Sequence, residues 1–420
     1  MTDVVQVGLE GASESGTDVE SVVTGIGIAA PNGLGPTAYW RAITQGERAI
    51  APVTRFDTDS YWAKLAGEVP GFEPTRHLQG KLLPQTDHMT RLTLVGADWA
   101  LRTAGVGEND IPNQEMAVVT AATGGGYEFG QRELQKLWSL GPDHVSTYQS
   151  FAWFYAVNTG QISIRHKTRG PGSVVVSEQA GGIDAIGAAR RHLRKGVQLA
   201  LTGAMDSSLC PWAWVAHQVS GTLSRSEDPE RAYLPFDRAA SGQVLGEGGA
   251  ILVMETPESA AAREGTRIYG RVAGYAATFD SRRPGRGPGL RRAAELAIAD
   301  AGLEPGEIDV VFADAAAVPE MDRIEAEAIN AIFGPYGVPV TAPKTMIGRL
   351  GAGGSSLDVA TALLSVYWGC IPPTVNVTDP VEAYTLDLVT QPRHQVVRSA
   401  LVLARGLGGF NSAMVVRDYP

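Results

Sequence analysis

Cysteine is nearly absent from this chain. Only Cys210 and Cys370 occur in 420 residues, too few for a disulfide framework, and the compartment expected is a reducing cytoplasm. The seven histidines never fall at a ligand spacing such as His-x-x-x-His, so no metal site is expected. No apolar stretch approaches the roughly 20 residues that a membrane span requires. Positive charge is also scarce: 35 Lys and Arg stand against 45 Asp and Glu, a net charge of -10, which gives no global basic surface for nucleic acid. The basic runs Arg190–Lys195 and Arg282–Arg292 are local and read as solvated helix face or loop. Residues 1–20 lack both a basic start and an apolar core, so they read as a loose tail rather than a signal peptide.

Glycine, by contrast, is abundant. Fifty glycines and 25 prolines punctuate many short elements. Apolar runs such as Ser173–Ser177 and Val197–Leu201 adjoin Ala-rich helical patterns, which indicates an α/β protein with buried strands. Between those two runs, Ile183, Ile186, Ala189 and Leu193 recur at helical spacing with Asp184 in the first turn, so the unit is strand, sharp turn, helix, strand. Similar elements reappear after the polar, helix-like segment 257–266: a strand from about Ile268, a helix over Arg291–Ala301, and short strands at Asp309–Phe312 and Leu401–Ala404. The expected division is a half at 21–266 and a second at 267–420, although no repeat of fixed period is visible.

Five segments occur in an order and spacing that resemble the β-ketoacyl synthase family: VVTGIGIAAPNG (22–33), VVSEQAGG (175–182), YLPFDRAASGQVLGEGGA (233–250), APKTMIGRLGAGG (342–354) and GLGGFNSAMVV (406–416). The resemblance covers nearly the whole chain after the tail. It implies a thiolase-like five-layered αβαβα fold made of two pseudo-equivalent halves. Members of that family attack with a cysteine thiolate at a strand-to-helix turn and use two histidines at the thioester carbonyl. Here the turn position is Gln179, whose amide is no nucleophile. Counting eight residues back from Asp322 puts Asp314 at the first histidine position, and the Lys344-x-x-x-Gly348 frame puts Arg349 at the second. Lys344 and Glu247, which support the site in active relatives, remain. Cys210 and Cys370 lie outside any such turn and read as buried thiols; Trp153, Trp212 and Trp214 read as core or interface aromatics.

A glutamine in SEQAGG is similar to the ketosynthase β subunit, or chain-length factor, of type II polyketide synthases. The segment 148–164 resembles the same subfamily, in which it packs across a dimer interface beside a helix lining the tunnel of the growing chain. Tyr127, Gly130, Leu134 and Leu137 share one face of a helix. Core packing is the default for such a stripe, but Gly130 costs about 1 kcal/mol relative to Ala inside a helix. Tyr127, Gly130, Leu134 and Phe151 are accordingly assigned to the tunnel, with room for a long product. The implied function is a non-catalytic subunit that needs no cofactor, pairs with an active ketosynthase α subunit, and meets the acyl carrier protein mainly through that partner. Two alternatives stay open: a Gln179-dependent malonyl-carrier decarboxylase, and a scaffold that only keeps its partner soluble.

Overall fold

A computed structural model describes residues 19–281 and 289–420. Ten strands carry the architecture: β1 (Val22–Ala30), β2 (Met116–Ala121), β3 (Gly172–Val175), β4 (Leu199–Asp206), β5 (Gly248–Glu255), β6 (Gly270–Phe279), β7 (Val310–Phe312), β8 (Pro339–Thr341), β9 (Ser399–Gly406) and β10 (Phe410–Arg417). Seven helices matter for the site: α1 (His88–Thr103), α2 (Tyr127–Leu140), α3 (Gly181–Leu193), α4 (Pro211–Val219), α5 (Gly289–Asp300), α6 (Pro319–Phe333) and α7 (Ala352–Trp368).

The duplication hidden in the sequence is explicit in the strand order. The first half runs β1-β5-β4-β2-β3 and the second β6-β10-β9-β7-β8. Each is antiparallel across its first two junctions and parallel across its last two. The halves join through a short antiparallel contact, Val22 with Arg271 and Val23 with Gly270.

Five layers follow from which faces are apolar. Helix α1 covers the outside of the first sheet and α5 with α6 the outside of the second, while α3 and α7 pack against each other between the sheets. A helix in a middle layer has no solvent side, and α7 accordingly is buried at every position from Ala352 to Ser365. Close crossing of α3 and α7 requires glycine: a Cβ on Gly182 would stand 2.5 Å from both the Ala352 carbonyl oxygen and the Ser356 nitrogen. One apolar core fills the space between the sheets, and a further core lies under each outer helix layer.

Several expectations change. Of the segment 257–266 only Pro257–Ala261 is helical; beyond it Arg263 pairs with the buried Glu255. Arg190 is not solvated, because it lies on the inner side of α3, buried and bonded to Asp300 and to the Ala273 carbonyl. In the second basic run Arg291 pairs with Glu295 at 2.7 Å, and residues 282–288 lie outside the described residues. So do residues 1–18 of the expected tail, whereas Glu20 already pairs with Arg271. Among the described residues no helix is long and apolar enough to cross a membrane, and no cluster of His, Cys, Asp or Glu is placed to hold a metal ion.

Candidate functional site

The turn after β3 is fixed from several directions. Ser177 Oγ donates to Asp184 Oδ2 at 2.6 Å, and Asp184 Oδ1 accepts from the Tyr275 hydroxyl at 2.9 Å and from Ser412, so the first turn of α3 is tied to both β6 and β10. Glu178 adopts a left-handed backbone, φ 51°, and accepts from the Leu407 nitrogen at 3.1 Å. Gln179 follows at the entry to α3 and is fully buried. Its amide presses on α7, where a Cβ at Gly354 would stand 2.4 Å from Nε2, and neither amide atom has a hydrogen-bond partner among the described residues.

Beside this turn lies a buried ion network. Arg349 Nη2 donates to Asp314 Oδ1 at 3.0 Å, and its Nη1 donates to the Asp314 carbonyl at 2.8 Å. Arg405 adds its backbone nitrogen to Oδ1 at 2.9 Å and its Nε to Oδ2 at 3.2 Å, while its Nη2 reaches Glu325 at 3.3 Å. Glu325 in turn accepts the backbone nitrogens of Asp314 and Ala315. Lys344 Nζ donates to the Ala313 carbonyl at 2.7 Å and pairs with Asp358 at 2.8 Å. Three cations thus face three carboxylates out of water, an arrangement in which every charge needs its partner. Burial alone would raise the Asp314 carboxyl, but Arg349, Arg405 and Lys344 hold it well below the usual carboxylate range.

Glu247 is not brought into this network. Its segment is, since the Gly246 nitrogen donates to the Arg349 carbonyl at 2.8 Å. Its side chain instead accepts from Arg55 at 2.7 Å, the Val69 nitrogen at 2.9 Å and Ser207 Oγ at 2.8 Å, with His88 at 3.3 Å. Burial opposes ionisation there, but His88, Arg55 and the Val69 N–H bring its pKa down to about 2. Neither cysteine offers a replacement nucleophile: both are buried, and burial pushes Cys210 up to about 11.

The residues assigned to the tunnel only partly gather. Tyr127 and Gly130 both meet Trp212, a residue read from the sequence as an ordinary core or interface aromatic: the Tyr127 and Trp212 rings stack edge to face at 5.8 Å, and a Cβ at Gly130 would stand 3.3 Å from Trp212 Cζ3. The gap at Gly130 is therefore shared with an indole from α4, which removes the ground for expecting a long product from Gly130 alone. Leu134 is exposed, because the positions α2 turns inward are Phe129, Gly130 and Glu133. Glu133 is buried to accept the Ser146 nitrogen at 2.8 Å and close the following loop. Phe151 is half-buried and meets the Tyr148 ring edge to face. Leu134, Trp138, Trp153, Phe154, Tyr155, Trp212, Val215 and Val219 are exposed apolar side chains on α2, α4 and the segment following the short helix Gln149–Ala152, elements that lie beside one another.

Comparison with known proteins places this geometry. The β-ketoacyl synthase N-terminal domain matches residues 20–260 and its C-terminal domain residues 269–378. The tetracenomycin polyketide synthase ketoacyl synthase beta subunit of Streptomyces glaucescens is 56% identical over 95% of this chain and 98% of its own. The actinorhodin polyketide putative beta-ketoacyl synthase 2 of Streptomyces coelicolor is 54% identical over 95% and 98%. Among solved structures, the ishigamide ketosynthase/chain length factor superposes with a TM-score of 0.88 at 28% identity, covering 96% of this chain and 100% of that one. The chain belongs to the β-ketoacyl synthase family, with its thiolase-like fold, and within it to the ketosynthase β subunits, or chain-length factors, of type II polyketide synthases.

Proposed function

We propose that this chain is the non-catalytic, chain-length-determining subunit of a type II polyketide ketosynthase. It pairs with an active ketosynthase through the exposed apolar face around α2 and α4, and α2 with Trp212 walls the tunnel in which the poly-β-keto chain grows. The observation that carries the reading is Gln179: the turn where relatives hold a thiolate presents a sealed amide, beside an Asp314–Arg349 ion pair where two imidazoles would act. Neither acyl transfer nor carbonyl activation has a group to perform it. The decarboxylase alternative is weaker for the same reason, since the Gln179 amide lies against Gly354 and no imidazole belongs to the adjoining network. The chain is acidic, as acyl carrier proteins are, so the carrier docks mainly on the partner subunit.

The test is reconstitution with the cognate ketosynthase and carrier protein, with products resolved by mass. Gly130→Phe puts a ring against the wall, where it competes with Trp212 for its place, whereas Leu134→Phe, at an exposed position, is expected to leave the length unchanged. Overpacking at position 130 costs about 1 to 3 kcal/mol, which redistributes products by about 5- to 150-fold toward shorter chains. An unchanged length distribution in intact Gly130→Phe heterodimers means that α2 packs a core and measures nothing.

A further inference from the structure

Helix α2 begins without a cap of its own. Its N-cap is Gly126, which has no side chain to offer, and it follows two more glycines. That run allows other parts of the chain to come close: a Cβ at Gly125 would stand 1.7 Å from the Trp153 carbonyl oxygen, and one at Gly126 would stand 2.5 Å from that of Ala152 and 2.7 Å from Asp87 Cβ. Three glycines also leave the backbone little preference of its own, so the start of the helix is set by what grips it. Two buried carboxylates do so. Asp87 Oδ1 accepts the Met89 nitrogen at 2.9 Å, capping α1, and its Oδ2 accepts the Phe129 nitrogen at 2.8 Å in the first turn of α2. Asp206, at the end of β4, accepts the Thr123 nitrogen at 2.7 Å, and Thr123 Oγ accepts the Ala352 nitrogen at 2.9 Å at the start of α7. Both aspartates are buried. The wall helix is thereby registered against α1 on one side and, on the other, against the α7 terminus that carries Gly354 beside Gln179.

We infer that Asp87 and Asp206 are positioning residues for product length: they hold the start of α2 so that Tyr127 and Gly130 meet Trp212 at one fixed depth. The inference rests on the reading of α2 as the tunnel wall. Every donor around these carboxylates is an N–H or O–H, so an asparagine has to turn its NH₂ toward one of them and release that grip. Loss of such a grip loosens the wall without filling it. Its signature is a broader product distribution, longer as well as shorter, where Gly130→Phe only shortens.

The experiment reconstitutes Asp87→Asn, Asp206→Asn and the isosteric Thr123→Val with the cognate ketosynthase and carrier protein, beside Gly130→Phe. Products are resolved by mass from purified heterodimers. The expected result is a rise of about tenfold in products one or more units off the parent length, the ratio for one lost hydrogen bond to a charged group, with total turnover largely kept. If Gly130→Phe shortens the product while the aspartate and threonine variants keep the parent distribution, or lose turnover at unchanged length, the positioning role is wrong and the wall reading survives. If Gly130→Phe leaves the length unchanged, the wall reading fails and this inference with it. Should Asp206→Asn not assemble, Thr123→Val decides that side by the same criteria, and should Asp87→Asn not assemble, Asp87→Ser, which can keep the Met89 cap but not the reach to the Phe129 nitrogen, decides the other.

Discussion

Replacing Arg349 by methionine keeps an unbranched apolar stem and removes the guanidinium with its charge and all its donors. Three hydrogen bonds disappear: to the Asp314 carbonyl at 2.8 Å, to Asp314 Oδ1 at 3.0 Å and to the Arg405 carbonyl at 3.2 Å. Breaking a buried ion pair from one side costs about 3 to 5 kcal/mol, because the remaining charge stays buried. Asp314 keeps Arg405, which still supplies Nε and a backbone nitrogen, so the lower end, about 3 kcal/mol, is expected. Asp314→Asn leaves Arg349 and Arg405 facing each other without their shared anion and costs at least as much. The double variant then loses less than the sum, with a coupling of about 1 to 3 kcal/mol. Because the folded-state pKa of Asp314 is depressed, its contribution is fully present above the unfolded value of about 3.9 and is lost only as pH falls through the much lower folded value. Denaturant unfolding of the purified heterodimer at one fixed concentration measures all four corners of the cycle. Unchanged stability of Arg349→Met, or strict additivity in the double variant, refutes the account of this network.

Gln179→Cys does not create a ketosynthase, since a thiol there has no imidazole to activate it or to bind a thioester carbonyl; condensation by that variant, with the partner's own cysteine disabled, contradicts this. Glu247→Gln costs on the order of 3 kcal/mol at neutral pH, from the interval between an ordinary 4.5 and about 2. The Glu247 contribution is present above pH 4.5 and lost as pH falls through about 2, so the variant should show a flatter acid limb in unfolding measured across pH 5 to 2. Asp322 behaves in the opposite sense: burial, with Glu325 adding to it, lifts its pKa to about 7, while its Oδ2 accepts the Phe236 nitrogen at 2.8 Å. Stability from its protonated form is complete below the unfolded value of about 3.9 and falls as pH rises through about 7. Asp322→Asn should therefore be more stable than the parent at pH 8 and lack that slope, and a variant with the parent's pH profile shows that Asp322 does not titrate there.

Much of this protein is written in short stretches of sequence. The strand and helix around Gln179 follow from apolar runs and from Ile183, Ile186 and Leu193 at helical spacing, which depend on neighbours a few residues apart. The exchange of a nucleophile for an amide at 179 is likewise a single-position fact within a local motif. What the sequence could not carry is who meets whom across the chain. Arg405 reaches Asp314 over 91 positions and the Trp212 backbone nitrogen reaches Gln131 over 81, with no periodicity connecting either pair. The repeated strand order of the halves, the burial of Arg190, the cap that Asp87 lends to α2 and the hold of Asp206 on Thr123 before it also arise only when distant elements pack. Leu134 and Glu133 make the same point on one turn of helix: composition puts leucine inside and glutamate outside, but a loop nitrogen at Ser146 needs an acceptor, so the glutamate is buried and the leucine exposed. Helical spacing fixed which side chains share a face of α2, and tertiary packing decided which face turned inward, because Glu133 there meets the Ser146 nitrogen together with Lys136 and Arg132, partners that leucine cannot use.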